Sequence, residues 1–161
     1  MDLNIRAIAP ADVPSVVALL REFAAFEDLL DHCEVTEERL SAAMFDEKTV
    51  VEGLIAFDGE EAIGYAIFFP NFASFRGQRG IYLEDIYVND RYRGKGVGEA
   101  MIREVARIAA SQGFERIDFL VLDWNTPALK FYEKLGALRD DEERHFKFTD
   151  DAFRRLSGPD A

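Results

Sequence analysis

The chain has 161 residues, 48% of them apolar, and a formal net charge of −12. That length suits one hydrophobic core, and the charge disfavours nucleic acid and anionic membrane while giving cationic ligands an attractive field. No apolar run nears the roughly 20 residues of a membrane span, and a single cysteine excludes an internal disulfide. The opening MDLNIRAIAP lacks the basic and then apolar pattern of a signal peptide, so one cytoplasmic domain over residues 1–161 is expected, with 157–161 as a disordered tail. Cys33 reads as a small hydrophobe, and neither His32 nor His145 stands at a metal-ligand spacing, so no metal is expected.

Residues 3–8 read as a short strand, and Pro10, Ala11 and Asp12 lead into an apolar periodic helix ending at Phe26. Pro14 falls in its first turn, where proline is tolerated. Thr36 is a cap for a second helix. The runs 49–57 (TVVEGLIAF) and 61–69 (EAIGYAIFF) flank Asp58 and Gly59, a hairpin signal. A loop over 70–80 then returns the chain to a third strand at 81–88. Val97, Met101, Ile102, Val105, Ile108 and Ala109 follow helical spacing up to Gln112 and Gly113. A strand at 116–122, a helix at 127–135 stopped by Gly136, and strand around 145–148 complete the chain. The fold class is α+β: a mixed, mostly antiparallel sheet flanked by helices, with one local parallel strand, helix, strand crossover.

The stretch RYRGKGVGEAM, residues 91–101, sets three glycines and three basic side chains in front of a helix. Helix amino termini offer unpaired N–H groups and partial positive charge, and glycines remove the side chains that would hold a phosphate away. Arg91, Arg93 and Lys95 add attraction for an anion in an acidic chain. The spacing GxGxG matches neither Walker A nor the dinucleotide fingerprint. A turn that only permits close helix–sheet packing is the plainer alternative.

Arg93, Gly96 and Gly98 between strand and helix resemble the acetyl-coenzyme A motif of the Gcn5-related N-acetyltransferases. YLEDIYV at 82–88, FLVLDWNTPALKFYEKLGA at 119–137 and FAAFEDL at 23–29 are similar to the spermidine/spermine acetyltransferase-like branch, which acts on thialysine and other small amines. The likeness covers most of the chain and thins after Ala137. It implies that the amides of Gly94, Lys95, Gly96, Val97, Gly98 and Glu99 cradle the cofactor's pyrophosphate. The pantetheine arm would lie along Ile86, Tyr87 and Val88, with Asn125, Thr126, Pro127 and Ala128 also at the cofactor. It implies Phe26, Glu27, Glu84, Asp118 and Leu120 as substrate contacts, and a homodimer.

Acetyl transfer needs a neutral amine, yet an aliphatic ammonium titrates near 10.4, so something must take a proton. Period-two geometry puts Tyr82, Glu84, Ile86 and Val88 on one strand face and Leu83, Asp85 and Tyr87 on the other; the adjacent carboxylates cannot share a role unless a bulge intervenes. The residues alone do not choose between them. The resemblance selects Glu84 as base, leaving Asp85 as a structural partner for backbone or arginine. It also selects Tyr132 as the acid for the departing thiolate, on a helix that Thr126 caps and Pro127 opens; a core tyrosine is the plainer reading. Main-chain N–H groups near Tyr87 and Val88 would polarise the thioester carbonyl. The expected activity is acetyl-coenzyme A-dependent N-acetylation of a primary amine on a small cationic substrate: a polyamine, diamine, thialysine or lysine analogue. A peptide N-acetyltransferase of the same fold, or a non-catalytic coenzyme A-sensing module, are the alternatives.

Overall fold

The computed structural model describes residues 1–158, which divide into two compact units, Met1–Leu120 and the remainder from Val121. The first holds five strands in the order β1 (Leu3–Ala7), β2 (Glu52–Asp58), β3 (Glu61–Ala73), β4 (Gln78–Val88) and β5 (Ile117–Asp118). Neighbours are antiparallel except for β4 and β5, which are parallel. That single parallel pair follows from the crossover helix α3 (Val97–Ser111) between them, because a hairpin cannot join parallel strands.

Two cores lie against the sheet. Helices α1 (Val13–Phe26) and α2 (Glu37–Phe45) bury Val16, Val17, Leu19, Leu40 and Met44 with Ile55, Tyr65, Ile67 and Tyr87. The other core gathers Val97, Met101, Val105 and Ala109 of α3 with Leu54, Ala66, Phe68, Ile81 and Leu83. The four helical positions recur every fourth residue, so they form one stripe. Each large apolar side chain buried in this way contributes roughly 1.5–3 kcal/mol. Thr36 caps α2 as its sequence implied, its Oγ1 accepting from the Arg39 N–H at 3.2 Å.

Three expectations need correction. Residues 70–80 are not a loop: β3 runs on to Ala73 and β4 starts at Gln78, so only a short turn separates them. The long strand foreseen at 116–122 pairs at Ile117 and Asp118 alone. No strand occurs at 145–148 among the described residues. That region instead precedes an unforeseen helix, α5 (Asp150–Ser157), which follows α4 (Thr126–Lys134) in the second unit. Of the expected tail, Ser157 is the last residue of α5, and residues 159–161 lie outside the described residues.

Candidate active site

β4 breaks its own alternation. Ile67 pairs with Asp85 and Phe68 with Leu83, so Glu84 has no residue opposite it. This is a β-bulge, and the packing records it. Leu83 sits in the α3-side core with Ile86 and Val88, while Tyr87 sits in the α1-side core. Unbroken period two would have put Leu83 with Tyr87 and the two carboxylates on opposite faces. The inserted residue leaves Glu84 and Asp85 on the same side of the sheet.

Glu84 is exposed and Asp85 half-buried. The Tyr65 hydroxyl donates to Asp85 Oδ2 at 3.2 Å, so the partner of Asp85 is a tyrosine rather than backbone or arginine. Desolvation first, and then the charge of Glu84, push the Asp85 carboxyl up to about 6, although the Tyr65 hydrogen bond pulls it down. Burial also raises Glu27, which follows the last residue of α1 and adds its field at Asp85. Glu27, Glu84 and Asp85 thus form one anionic group. Asp28, next in the chain after Glu27, has φ 58, in the left-handed region, at a helix end where the dipole disfavours negative charge.

On its β5 side, β4 is paired only at Ile81 and Tyr82. Beyond that point, from Leu83 to Val88, no described strand covers this edge. Gly80 permits the close approach before the edge opens, since a Cβ there would stand 2.6 Å from the Arg116 carbonyl oxygen. Asp118 is gripped by Arg116 at 2.6 and 2.8 Å and by Asn71 Nδ2 at 3.1 Å. Arg116 and Asn71 hold its carboxyl below the ordinary range against some desolvation. Leu120 is exposed.

After β4 the chain turns through Gly94 (φ 71) and Gly96 (φ 85) into α3. Both need left-handed backbone that side chains disfavour, and nothing lies within 4 Å of the position a Cβ would take at either. No side chain caps α3, and its first backbone bond runs from the Ala100 N–H to the Gly96 oxygen. The amides of Val97, Gly98 and Glu99 therefore precede the intrahelical ladder, as anion donors should. The basic side chains are less free than their sequence implied. Arg91 pairs with Glu61 at 2.5 Å, Arg93 with Asp90 at 2.6 Å, and Lys95 Nζ lies 5.0 Å from the centroid of the Tyr92 ring. Arg93 Nε also donates to the Val88 oxygen at 2.9 Å, and its guanidinium lies over Phe26 and Tyr87. The donors this turn offers are therefore backbone N–H groups more than surplus side-chain charge.

In the second unit Asn125, not Thr126, caps α4: its Oδ1 accepts from the Ala128 N–H at 3.3 Å. Thr126 is the first helical residue and Pro127 the second, where the missing N–H costs nothing. Tyr132 stands edge-on to Phe131 at 5.1 Å between centroids. Burial pushes its hydroxyl up to about 12, so it keeps its proton at neutral pH.

The sequence profile described as the Acetyltransferase (GNAT) family matches residues 17–137. The chain belongs to this family. It is 36% identical to a thialysine N-epsilon-acetyltransferase of Bos taurus, over 96% of each chain. It is 28% identical to an L-ornithine N5-acetyltransferase of Arabidopsis thaliana, covering 95% of this chain and 87% of that one. Among solved structures, an integron cassette protein of V. cholerae superposes with a TM-score of 0.80 at 22% identity, over 97% of this chain and 98% of that one. The fold is the shared feature there.

As a GNAT chain it is an N-acetyltransferase, and its first unit gathers Phe26, Glu27, Glu84, the β4 segment Ile86–Val88 and the glycine turn. Sequence reasoning undervalued two side chains. Tyr65 lies within an apolar strand and carries no sequence signal, and Asp85 takes second place because the resemblance selects Glu84, alternation having left the two carboxylates undecided. Only the bulge, which no local pattern announces, puts both carboxylates on one side.

Proposed function

We propose that the chain transfers acetyl from acetyl-coenzyme A to a primary amine of a small cationic substrate: a polyamine, diamine, thialysine or lysine analogue. The observation that carries this reading is the uncapped glycine turn directly behind a bulged strand whose Glu84 and Asp85, with Glu27 at the end of α1, form one anionic group. The amides of residues 94–99 offer donors for a pyrophosphate, and the open β4 edge at Ile86, Tyr87 and Val88 offers main-chain groups to the amide-rich pantetheine arm. The carboxylates attract the cationic acceptor. The names of both relatives specify amino acids with a side-chain amine beside the α-ammonium and α-carboxylate, and an anionic group suits the ammonium ends of such acceptors.

In this mechanism Glu84 takes the ammonium proton, directly or through water, and the freed nitrogen lone pair attacks the thioester carbonyl. Main-chain N–H groups near Tyr87 and Val88 stabilise the oxyanion. Collapse breaks the carbon–sulfur bond, the Tyr132 hydroxyl donates a proton to the thiolate, and the second proton that the nitrogen sheds on becoming an amide returns to the Tyr132 oxygen through water. Asn125, Thr126, Pro127 and Ala128 are assigned to the cofactor, and Phe26, Asp118 and Leu120 to the acceptor. A homodimer belongs to the same reading. It is supported by the exposed apolar side chains of the second unit, among them Leu138, Phe146 and Phe148, and a monomeric mass by light scattering removes it.

Thiol release from acetyl-coenzyme A across a panel of diamines, polyamines, thialysine, ornithine, lysine and short peptides tests the proposal. Turnover should be greatest with small dicationic amines. Turnover with no amine would overturn it, and preference for peptides would transfer the chain to a peptide acceptor.

A further inference from the structure

Asp85 is an awkward residue to retain for structure alone. It is half-buried on the α1 side of the sheet, and among the described residues no arginine or lysine shifts its titration. The groups facing it are Glu84 and Tyr82 from its own strand, Tyr65 from β3 and Glu27 from the end of α1, with Cys33 acting on Tyr65. Every one of these is acidic or neutral. The Tyr65 ring is fully buried between the sheet and α1, so its hydroxyl is a fixed donor to the carboxylate.

We propose that Asp85 and Glu84, brought to one side of β4 by the bulge and anchored by the Tyr65 hydroxyl, form a single proton-accepting pair. This rests on the acetyltransferase reading and deepens its base. Asp85 does not touch the acceptor; it acts through Glu84. The ammonium N–H bond breaks, its proton enters the pair, and the nitrogen keeps the electron pair that attacks the thioester. After release of the acetylated product the proton leaves to solvent, so the cycle closes without a co-reactant. Two neighbouring carboxylates hold one proton more firmly than either would alone, and the titration belongs to both. That matches the acceptor's affinity for protons better than an isolated carboxylate does.

The stability sign is opposite to that of an ordinary ion pair. Asp85 titrates at about 6 when folded against 3.8 when unfolded, so between those values the native state binds more protons and stability falls as pH rises. Removing the charge should therefore stabilise the protein above pH 6 and leave it unchanged below about pH 4.

The test combines carboxyl NMR titration of aspartate-labelled protein with pH profiles of kcat/KM. In the parent, Asp85 should titrate near 6. Glu84→Gln should lower that value by removing a like charge, and Tyr65→Phe should raise it by removing the hydrogen bond. With the best amine, the acid limb of the Tyr65→Phe profile should move alkaline in step with its NMR titration. Asp85→Asn should lose at least about tenfold in kcat/KM while melting higher than the parent at pH 7, but not at pH 4. It also stands in should Tyr65→Phe fail to fold. An Asp85 titration that ignores Glu84→Gln, or an acid limb that stays fixed while the Asp85 titration moves, overturns the pair. Turnover absent with every amine sinks the acetyltransferase reading, whatever the NMR titration shows.

Discussion

Tyr132 and Asp85 are both moved by desolvation, with opposite chemical consequences. A phenol at about 12 remains a proton donor at every physiological pH, whereas a carboxyl at about 6 can pick up and release a proton near neutrality. Loss of the donor should therefore affect the step in which the thiolate departs. Tyr132→Phe should lower kcat by about 10²–10⁴-fold, with acetyl-coenzyme A affinity by calorimetry within about twofold of the parent. An unchanged kcat would return Tyr132 to the plainer role of a packed aromatic.

At the scale of elements, the site depends on where β4 is paired and where it is not. Ile81 and Tyr82 are zipped to β5, and Arg116, Asp118 and Asn71 form the polar clamp at that point. The clamp holds the strand end in place, with Arg116 balancing the charge of Asp118. Arg116→Ala should cost about 1 kcal/mol at pH 7, since the pair is partly exposed. A lowered carboxyl contributes its full stability above its unfolded pKa and loses it as pH falls through the lower folded value, so this deficit should shrink steadily on acidification in thermal melts. The same variant should raise KM for acetyl-coenzyme A more than KM for the amine, because it loosens the strand beside the open β4 edge.

At the scale of the whole molecule, the formal charge of −12 acts on encounter rather than on fold. Raising ionic strength from about 20 mM to 500 mM shortens the screening length several-fold. Stopped-flow and steady-state measurements should then show kcat/KM falling several-fold for a dicationic amine and holding or rising for anionic acetyl-coenzyme A. Equal responses of the two substrates would show that local hydrogen bonds alone govern recognition.

The glycine turn, the α3 stripe and the Thr36 cap were legible in the sequence, because each is governed by residues within one or two helical turns of one another. So were the α+β class and the parallel crossover, which the alternation of strand and helix patterns carries. The end of β3 at Ala73, the two-residue length of β5 and the bulge at Glu84 were not, because hydrogen bonds to a distant strand decide them. The bulge counts most. Local periodicity put Glu84 and Asp85 on opposite faces, and pairing with β3 puts them on one, so the chemistry assigned to these carboxylates was set by a partner some 20 residues away in the chain.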